Sequence, residues 1–131
     1  MELLSPAGGP EQLRLAAHFG ADAVYVAGKR WGMRARSENF DDEGLTRAVR
    51  WAHGRAVSVH IALNVVMTDT DMESLPAYLR FIDEVGVDAA IVADLGTLEL
   101  LRRNAPHVEP HLSTQASVMS AISAMHTTGS F

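Results

Sequence analysis

The chain has 131 residues with 16 acidic and 11 basic side chains, which give a formal net charge of −5 at pH 7. This length suffices for one domain with a packed core, and the negative charge argues against a broad basic face for nucleic acid, although a local basic patch is still allowed. The sequence has no cysteine, which excludes disulfides and thiolate-ligated zinc or iron–sulfur sites within these residues.

No apolar run approaches the roughly 20 residues that a membrane-spanning helix needs. The first residues, Met1 to Leu4, lack the basic segment and the long apolar stretch of a signal peptide. We therefore expect a cytoplasmic protein that has no membrane partner.

Short apolar runs alternate along the chain with segments of helical periodicity. The apolar runs predict strands at Glu2–Ser5, Ala23–Val26, Val57–Asn64, Ala89–Ala93 and Glu109–Leu112. The periodic segments predict helices at about Pro10–Phe19, Asp42–His53, Leu75–Val85 and Leu95–Asn104. Start signals agree with three of these helices: Pro10 suits a first helical position, Asp41 or Asp42 can cap the second helix, and Ser74 can cap the third with Pro76 in its first turn.

A sequence pattern typical of a helix-to-strand turn occurs twice in similar form. The two copies are Gly20-Ala-Asp-Ala-Val-Tyr-Val-Ala-Gly28 and Gly86-Val-Asp-Ala-Ala-Ile-Val-Ala-Asp94. Gly20 and Gly86 suit the left-handed position just past a helix end, where a Cβ atom would clash. Such an alternation of helices and buried strands predicts a parallel sheet with right-handed crossovers.

An open doubly wound sheet and a closed (β/α)8 barrel both satisfy this alternation. Two observations favour the barrel: no Gly-x-Gly-x-x-Gly loop follows the first strand, and the second strand-to-helix loop is long, from Ala27 to Asp41. An eight-fold barrel takes about 250 residues. We therefore expect an α/β fold in which residues 1–131 hold about the first five strands of a TIM-type barrel, as the amino-terminal portion of a single catalytic domain.

The carboxyl ends of parallel strands share one rim, where barrel enzymes carry their active sites. Two glycine turns, an amide, a carboxylate and a polar cluster follow the predicted strands and would face the same opening. The substrate-binding candidates are Ser5, Gly8, Gly28, Arg34, Arg36, Asn64, Asp94, His111, Ser113 and Gln115. No residue can be assigned the catalytic step, and no metal-binding motif is found.

The segment from Lys29 to Arg36 holds four cations and a tryptophan. Arginine offers a fork of donors that matches carboxylate or phosphate, so Arg34 and Arg36 are predicted to bind an anionic substrate. The alternative is a solvated basic loop whose arginines pair with nearby acidic residues, from Glu38 to Glu43.

Other candidates also have structural alternatives. Asn64 can be a turn residue that bonds its own backbone, and Asp94 can cap the following helix. Asp22 and Asp88 precede their strands and are expected to stabilise the opposite rim. His111 is the histidine placed to reach the mouth. The sequence contains neither His-Glu-x-x-His nor Gly-x-Ser-x-Gly, so it does not indicate a metal or serine hydrolase.

Several blocks together resemble the U-32 peptidase family, which is also called collagenase-like. They are Glu2-Leu-Leu-Ser-Pro-Ala-Gly8, Gly20-Ala-Asp-Ala-Val-Tyr25, Gly28, Arg34-Ala-Arg36, Asn39-Phe40, Asn64, Val92-Ala-Asp94 and His111-Leu-Ser-Thr-Gln-Ala116. They follow the family's order and spacing from Met1 to about Ala116. The resemblance implies a barrel-type catalytic domain.

The resemblance also implies competing functions. Some members are described as proteases acting on collagen, and others hydroxylate RNA or a ubiquinone precursor without oxygen. The hydroxylating members are associated with an iron–sulfur cluster, held by cysteines in the later part of the family's sequence, and the RNA-acting ones with prephenate as hydroxyl source. This chain carries no cofactor ligands of that kind.

Leu4 to Gly8 and Arg34 to Arg36 look most similar to the branch that hydroxylates the wobble uridine of tRNA. We therefore expect part of an RNA-hydroxylating enzyme whose ligands are an anionic small molecule or RNA. The alternatives are a collagenase-like protease and a non-catalytic fragment that self-associates through open sheet edges.

Overall fold

Five strands alternate with four helices in this computed structural model, which describes residues 1–31, 39–116 and 120. The strands are β1 (Leu4–Pro6), β2 (Ala23–Val26), β3 (Ser58–Leu63), β4 (Ala89–Val92) and β5 (Glu109–Leu112). The helices are α1 (Pro10–His18), α2 (Asp42–His53), α3 (Asp69–Val85) and α4 (Leu95–Asn104), and a 3-10 turn follows at Thr114–Ala116. None of the helices in the described part is long and apolar enough to cross a membrane.

The sheet is parallel throughout and has the order β1-β2-β3-β4-β5. Each strand therefore pairs with its neighbour in sequence. An open doubly wound sheet instead reverses its order at a switch point. Sequential order is that of a (β/α)8 barrel, and the predicted α/β fold is confirmed.

The register gives the sheet two different faces. One face packs against the helices and carries side chains at most 2% exposed: Val24, Val26, Val59, Ile61, Leu63, Ala90 and Val92. The helices complete this core with Leu13, Leu45, Val49, Leu75, Leu79, Ile82, Leu98 and Leu101. The opposite face, which we call the inner face, carries Tyr25, Ala27, Ser58, His60, Ala62, Asn64, Ala89, Ile91, Ala93, Glu109, His111 and Ser113.

The start of α3 differs from the sequence prediction. The helix begins at Asp69 rather than Leu75, because Thr68 and Asp71 form a capping box. The Thr68 hydroxyl accepts a hydrogen bond from the Asp71 N–H at 3.2 Å, and the Asp71 carboxylate accepts one from the Thr68 N–H at 2.8 Å. This reciprocal pair satisfies two backbone donors at once, whereas Ser74 lies inside the helix and is not its cap. Pro76 is likewise interior rather than in the first turn.

The other helix signals agree with the structure. Asp41 caps α2 by accepting a hydrogen bond from the Gly44 N–H at 2.6 Å. Gly20 and Gly86 both have left-handed backbones, with φ of 90° and 93°. The two repeated turns are therefore made as predicted, by residues that lack a Cβ atom.

Two aspartates stabilise the rim opposite the mouth, as the sequence predicts. The Asp22 carboxylate accepts a hydrogen bond from the Leu3 N–H at 2.8 Å. The Asp88 carboxylate accepts one from the Val59 N–H and lies 2.7 Å from His53 Nε2. Both carboxylates thus tie the start of one strand to the start of the next.

Candidate functional site

The carboxyl ends of the strands form one rim, which we call the mouth and which carries Gly28, Asn64, Asp94 and Ser113. Each of these residues lies one or two positions beyond a parallel strand. Two backbone contacts extend the pairing to this level: Gly28 bridges to Phe40, and the Ser113 N–H donates to the Val92 carbonyl at 2.8 Å. The structure therefore brings these four sequence candidates together.

The other candidates are placed differently. Ser5 is in register with Val24, so its side chain shares the helix-covered face rather than the inner face. Gly8 lies in the β1–α1 turn, directly before the N-cap residue of α1. Gln115 lies in the 3-10 turn after β5. Arg34 and Arg36 lie outside the described residues, so their predicted anion contacts stay predictions.

Asp94 acts as the N-cap of α4. Its carboxylate accepts a hydrogen bond from the Thr97 N–H at 2.8 Å and lies 3.4 Å from the Thr97 hydroxyl. This is the structural alternative that the sequence left open. A capping carboxylate satisfies a backbone donor that has no partner within the helix.

The Asn64 side chain places an amide at the mouth. Its Oδ1 atom is buried and accepts no hydrogen bond from any described residue. It therefore does not bond its own backbone, the alternative weighed from sequence. Along β3 it continues the alternation of His60 and Ala62, which places it on the inner face.

A pair of imidazole rings lies deeper on the inner face. The rings of His60 and His111 meet edge to face with centroids 4.9 Å apart. The strand between them carries Ala89 level with His60, and this small residue leaves room for the two rings to touch. Glu109 Oε1 lies 3.5 Å from His111 Nε2. Within the described residues, no three side chains of metal-binding type come together.

His60 is the member of this pair that sequence reasoning missed. It is only 4% exposed, and its Nδ1 atom is buried without a partner. Burial, followed by the neighbouring His111, lowers the pKa of His60 below its ordinary value, so the ring stays neutral near pH 7. The available signal was its spacing of two and four residues from Ala62 and Asn64, which puts all three on one face of a strand.

The β2–α2 connection begins with an aromatic anchor. Trp31 is 7% exposed and its ring lies 4.9 Å from that of Tyr78 on α3. Its indole N–H donates to Asp71 Oδ1 at 3.3 Å, so the carboxylate that caps α3 also holds this connection. Arg30 stacks on the indole at 4.3 Å and donates to the Ser74 hydroxyl at 3.3 Å.

Gly28 makes a close approach possible at the end of β2. A Cβ atom at this position would overlap the hydroxyl group of Tyr78. Burial raises the pKa of Tyr78 well above its usual range, so the phenol is neutral. The glycine that sequence analysis assigned to substrate contact thus has a packing role as well.

Comparison with known proteins finds several relatives. The chain is 39% identical over 117 residues to a tRNA hydroxylation protein P1 of Bacillus subtilis, covering 89% of this chain and 28% of that protein. It is 37% identical over 124 residues to an uncharacterized protease of Methanocaldococcus jannaschii, covering 95% and 30%. It is 36% identical over 118 residues to the 23S rRNA 5-hydroxycytidine C2501 synthase of Escherichia coli, covering 90% and 18%. The chain thus spans less than a third of each relative's length.

Structural comparison agrees on the fold. A U32 peptidase of solved structure superposes with a TM-score of 0.75 at 18% sequence identity, over 97% of this chain and 54% of that one. The sequence model that describes peptidase family U32 matches residues 8–128. This match covers nearly the whole chain, and the chain therefore belongs to peptidase family U32.

Proposed function

We propose that the protein to which this chain contributes hydroxylates RNA bases, with the mouth of the barrel as its substrate site. The observation that carries the proposal is the similarity to two proteins named for RNA hydroxylation, one acting on tRNA and one producing 5-hydroxycytidine in 23S rRNA. The chain covers only 28% and 18% of these relatives, so the activity is proposed for the whole protein and not for these residues alone. An RNA-modifying function implies a cytoplasmic protein.

The chemistry of the mouth supports this assignment. The mouth carries the uncharged amide of Asn64 and the glycine at position 28, and such groups suit contacts to a base edge and to a sugar–phosphate backbone. The inner face adds the imidazole rings of His60 and His111 beneath them, of which the buried His60 has a lowered pKa. Arg34 and Arg36 are the proposed ligands for an anion, either a phosphate of the RNA or a small carboxylate.

An iron–sulfur cluster, which the family resemblance implies, does not fit this chain's own residues. Clusters are held by cysteine thiolates, and this sequence has no cysteine. Any such cluster would be held by other residues of the whole protein.

The proposal is tested on RNA from a strain that lacks the complete gene. Mass spectrometry of nucleosides from tRNA and 23S rRNA is expected to show the loss of a 5-hydroxypyrimidine or its derivatives, which return when the full-length gene is supplied. Unchanged hydroxylated nucleosides in the deletion strain would contradict the RNA function.

Proteolysis is the second candidate, because the family and the Methanocaldococcus relative carry that label. An assay of the purified full-length protein on gelatin or casein, with and without a chelator, separates proteolysis from RNA hydroxylation. If the protein degrades gelatin or casein and a chelator changes the rate, and if the RNA nucleosides of the deletion strain are unchanged, the protease function replaces the RNA function.

Self-association is a separate proposal for the isolated chain. In the described residues β1 and β5 each pair on one side only. Leu3, directly before β1, and Leu4, its first residue, are 54% and 39% exposed. Open edges with apolar neighbours favour pairing between copies. We expect concentration-dependent dimers in size-exclusion chromatography with light scattering, and fewer of them after Leu4→Lys. A compact monomer at all concentrations would contradict this.

A further inference from the structure

We propose that a groove on the outside of the sheet binds a nucleotide of an RNA strand, at a distance from the mouth. The choice of RNA rests on the proposed function. The groove, which we call the outer groove, lies between α1 and α2 at the rim opposite the mouth and has a volume of about 950 Å³. Ligand sites in proteins commonly have volumes of about 300–1,000 Å³. The lining includes Glu11, Arg14, Gly20, Asp22, Trp51 and Arg55.

The outer groove is open to solvent. A Cβ atom added to Gly20, in the turn between α1 and β2, would meet no other part of the chain within 4 Å. Arg14, Arg55 and Ala56, which also line the groove, are exposed. A groove that is open in this way admits a segment of a long chain as well as a small molecule.

One wall of the outer groove carries a cation stacked on an aromatic ring. The Arg55 guanidinium carbon lies 3.9 Å from the centre of the Trp51 ring, and Arg55 Nη1 donates to the Trp51 carbonyl at 3.3 Å. These two contacts orient the guanidinium before a ligand binds. Aromatic rings and arginine planes are the surfaces on which proteins stack the bases of single-stranded RNA.

Arg14 supplies a second cation to the outer groove. It is exposed and forms no ion pair or hydrogen bond with any described residue, so its donors are available to a phosphate. Two carboxylates line the same groove, Glu11 and Asp22, and that of Asp22 accepts from the Leu3 N–H.

This mixture of charges favours a nucleotide over a ligand that is anionic throughout. Every residue of an acidic peptide would bring a carboxylate toward Glu11 and Asp22, which repel it. A nucleotide carries its negative charge on the phosphate alone, and its uncharged base has N–H donors that carboxylates accept. The lining therefore matches the alternation of charged and uncharged groups along an RNA strand.

The test is a titration of the complete 131-residue chain with a short single-stranded oligouridylate, followed by nuclear magnetic resonance. The sequence has two tryptophans, so the indole N–H signal that is lost in Trp51→Phe identifies the outer groove. We expect the RNA to shift this signal. Gly20→Asn is expected to weaken binding about tenfold, within the range for one lost base stack. Asparagine tolerates the left-handed backbone, and its side chain would extend into the open space.

The second copy of the same turn provides a matched control. Gly86 has φ of 93° where Gly20 has 90°, and it does not line the outer groove. Gly86→Asn therefore makes the same substitution on the same backbone and should bind the RNA as the wild type does. Thermal unfolding shows that both variants are folded.

The dependence of binding on salt tests the role of Arg14. Arg14→Gln is expected to make the plot of log affinity against log salt concentration less steep by about 0.7, the value for one phosphate of a single strand. Arg47→Gln is the control, because Arg47 is an exposed arginine of α2 that lies 3.9 Å from Glu43 and outside the groove. This variant should keep the wild-type slope.

The outcomes separate the ligand classes. An oligoglutamate of the same length that shifts the Trp51 signal at equal affinity would replace the RNA assignment with an acidic peptide. UMP that binds as tightly as the oligouridylate would replace the strand with a free nucleotide. An unshifted Trp51 signal, or equal losses from Gly20→Asn and Gly86→Asn, would overturn the groove as a binding site.

Failure of this inference is distinguishable from failure of the proposed function. RNA binding that depends on Gly20 and Arg14, in a protein whose deletion leaves RNA nucleosides unaltered, supports the outer groove while the hydroxylation function fails. Loss of hydroxylated nucleosides from the deletion strain, together with a Trp51 signal that RNA does not shift, overturns the outer groove and leaves the hydroxylation function in place.

Discussion

Replacing Trp31 with alanine is expected to lower the free energy of unfolding by about 3 kcal/mol, the lower end of the range for a buried tryptophan. The indole is 7% exposed, packs on Tyr78 and donates to Asp71. Its loss therefore removes apolar contact and leaves the Asp71 Oδ1 atom without this donor. Urea denaturation followed by circular dichroism measures the change.

The backbone at this position allows a sharper comparison. Trp31 has a φ of 60°, a left-handed conformation that a bulky residue rarely adopts. An L-residue in this conformation costs about 1–2 kcal/mol, and glycine does not bear that cost. Trp31→Gly loses the same indole as Trp31→Ala, yet is expected to be the more stable of the two by about 1 kcal/mol. If Trp31→Gly is the less stable variant, the strain assigned to this position is wrong.

The second large effect is a dependence of stability on pH through His60. Its pKa in the folded chain lies below the ordinary value of 6.5, because burial and then His111 disfavour the charged ring. The unfolded chain therefore binds a proton that the folded chain resists. The contribution of the neutral His60 ring to the free energy of unfolding is therefore complete above pH 6.5 and is lost as the pH falls below that value.

His60→Leu is expected to flatten this dependence. Three carboxylates, of Glu2, Asp88 and Glu109, oppose the shift, and the substitution removes the group on which all of them act. At about pH 7.5 the variant should unfold within about 1.5 kcal/mol of the wild type, because an apolar group of similar size replaces a ring with an unpartnered nitrogen. At about pH 5 it should be the more stable protein.

The measurement is urea denaturation of both proteins across that pH range. His18→Gln, an exposed position at the end of α1, is the matched control and should keep the wild-type slope. A His60→Leu protein with an unchanged slope would show that the dependence comes from other groups.

Much of the architecture could be predicted from the sequence because short stretches of neighbouring residues determine it. Helical periodicity, apolar strands and the glycines at 20 and 86 each depend on neighbours within a few residues, and the structure confirms them. The error at α3 was also local. Thr68 and Asp71 make a capping box, whereas the sequence analysis predicted Ser74 as the cap with Pro76 in the first turn. The candidates Gly28, Asn64, Asp94 and Ser113 converge because strand ends of a parallel sheet must share a rim.

By itself the sequence determined that strands and helices alternate and, to within one residue, where the strands end, since backbone propensity and caps act over one or two turns. Only the tertiary structure decided that Asp94 caps α4, that His60 meets His111 across β4, and that the Asn64 Oδ1 atom is buried without a hydrogen bond from any described residue. These outcomes depend on which residues of neighbouring strands lie level. That register is set by the joint packing of the whole sheet against its helices, to which residues far apart in the chain contribute.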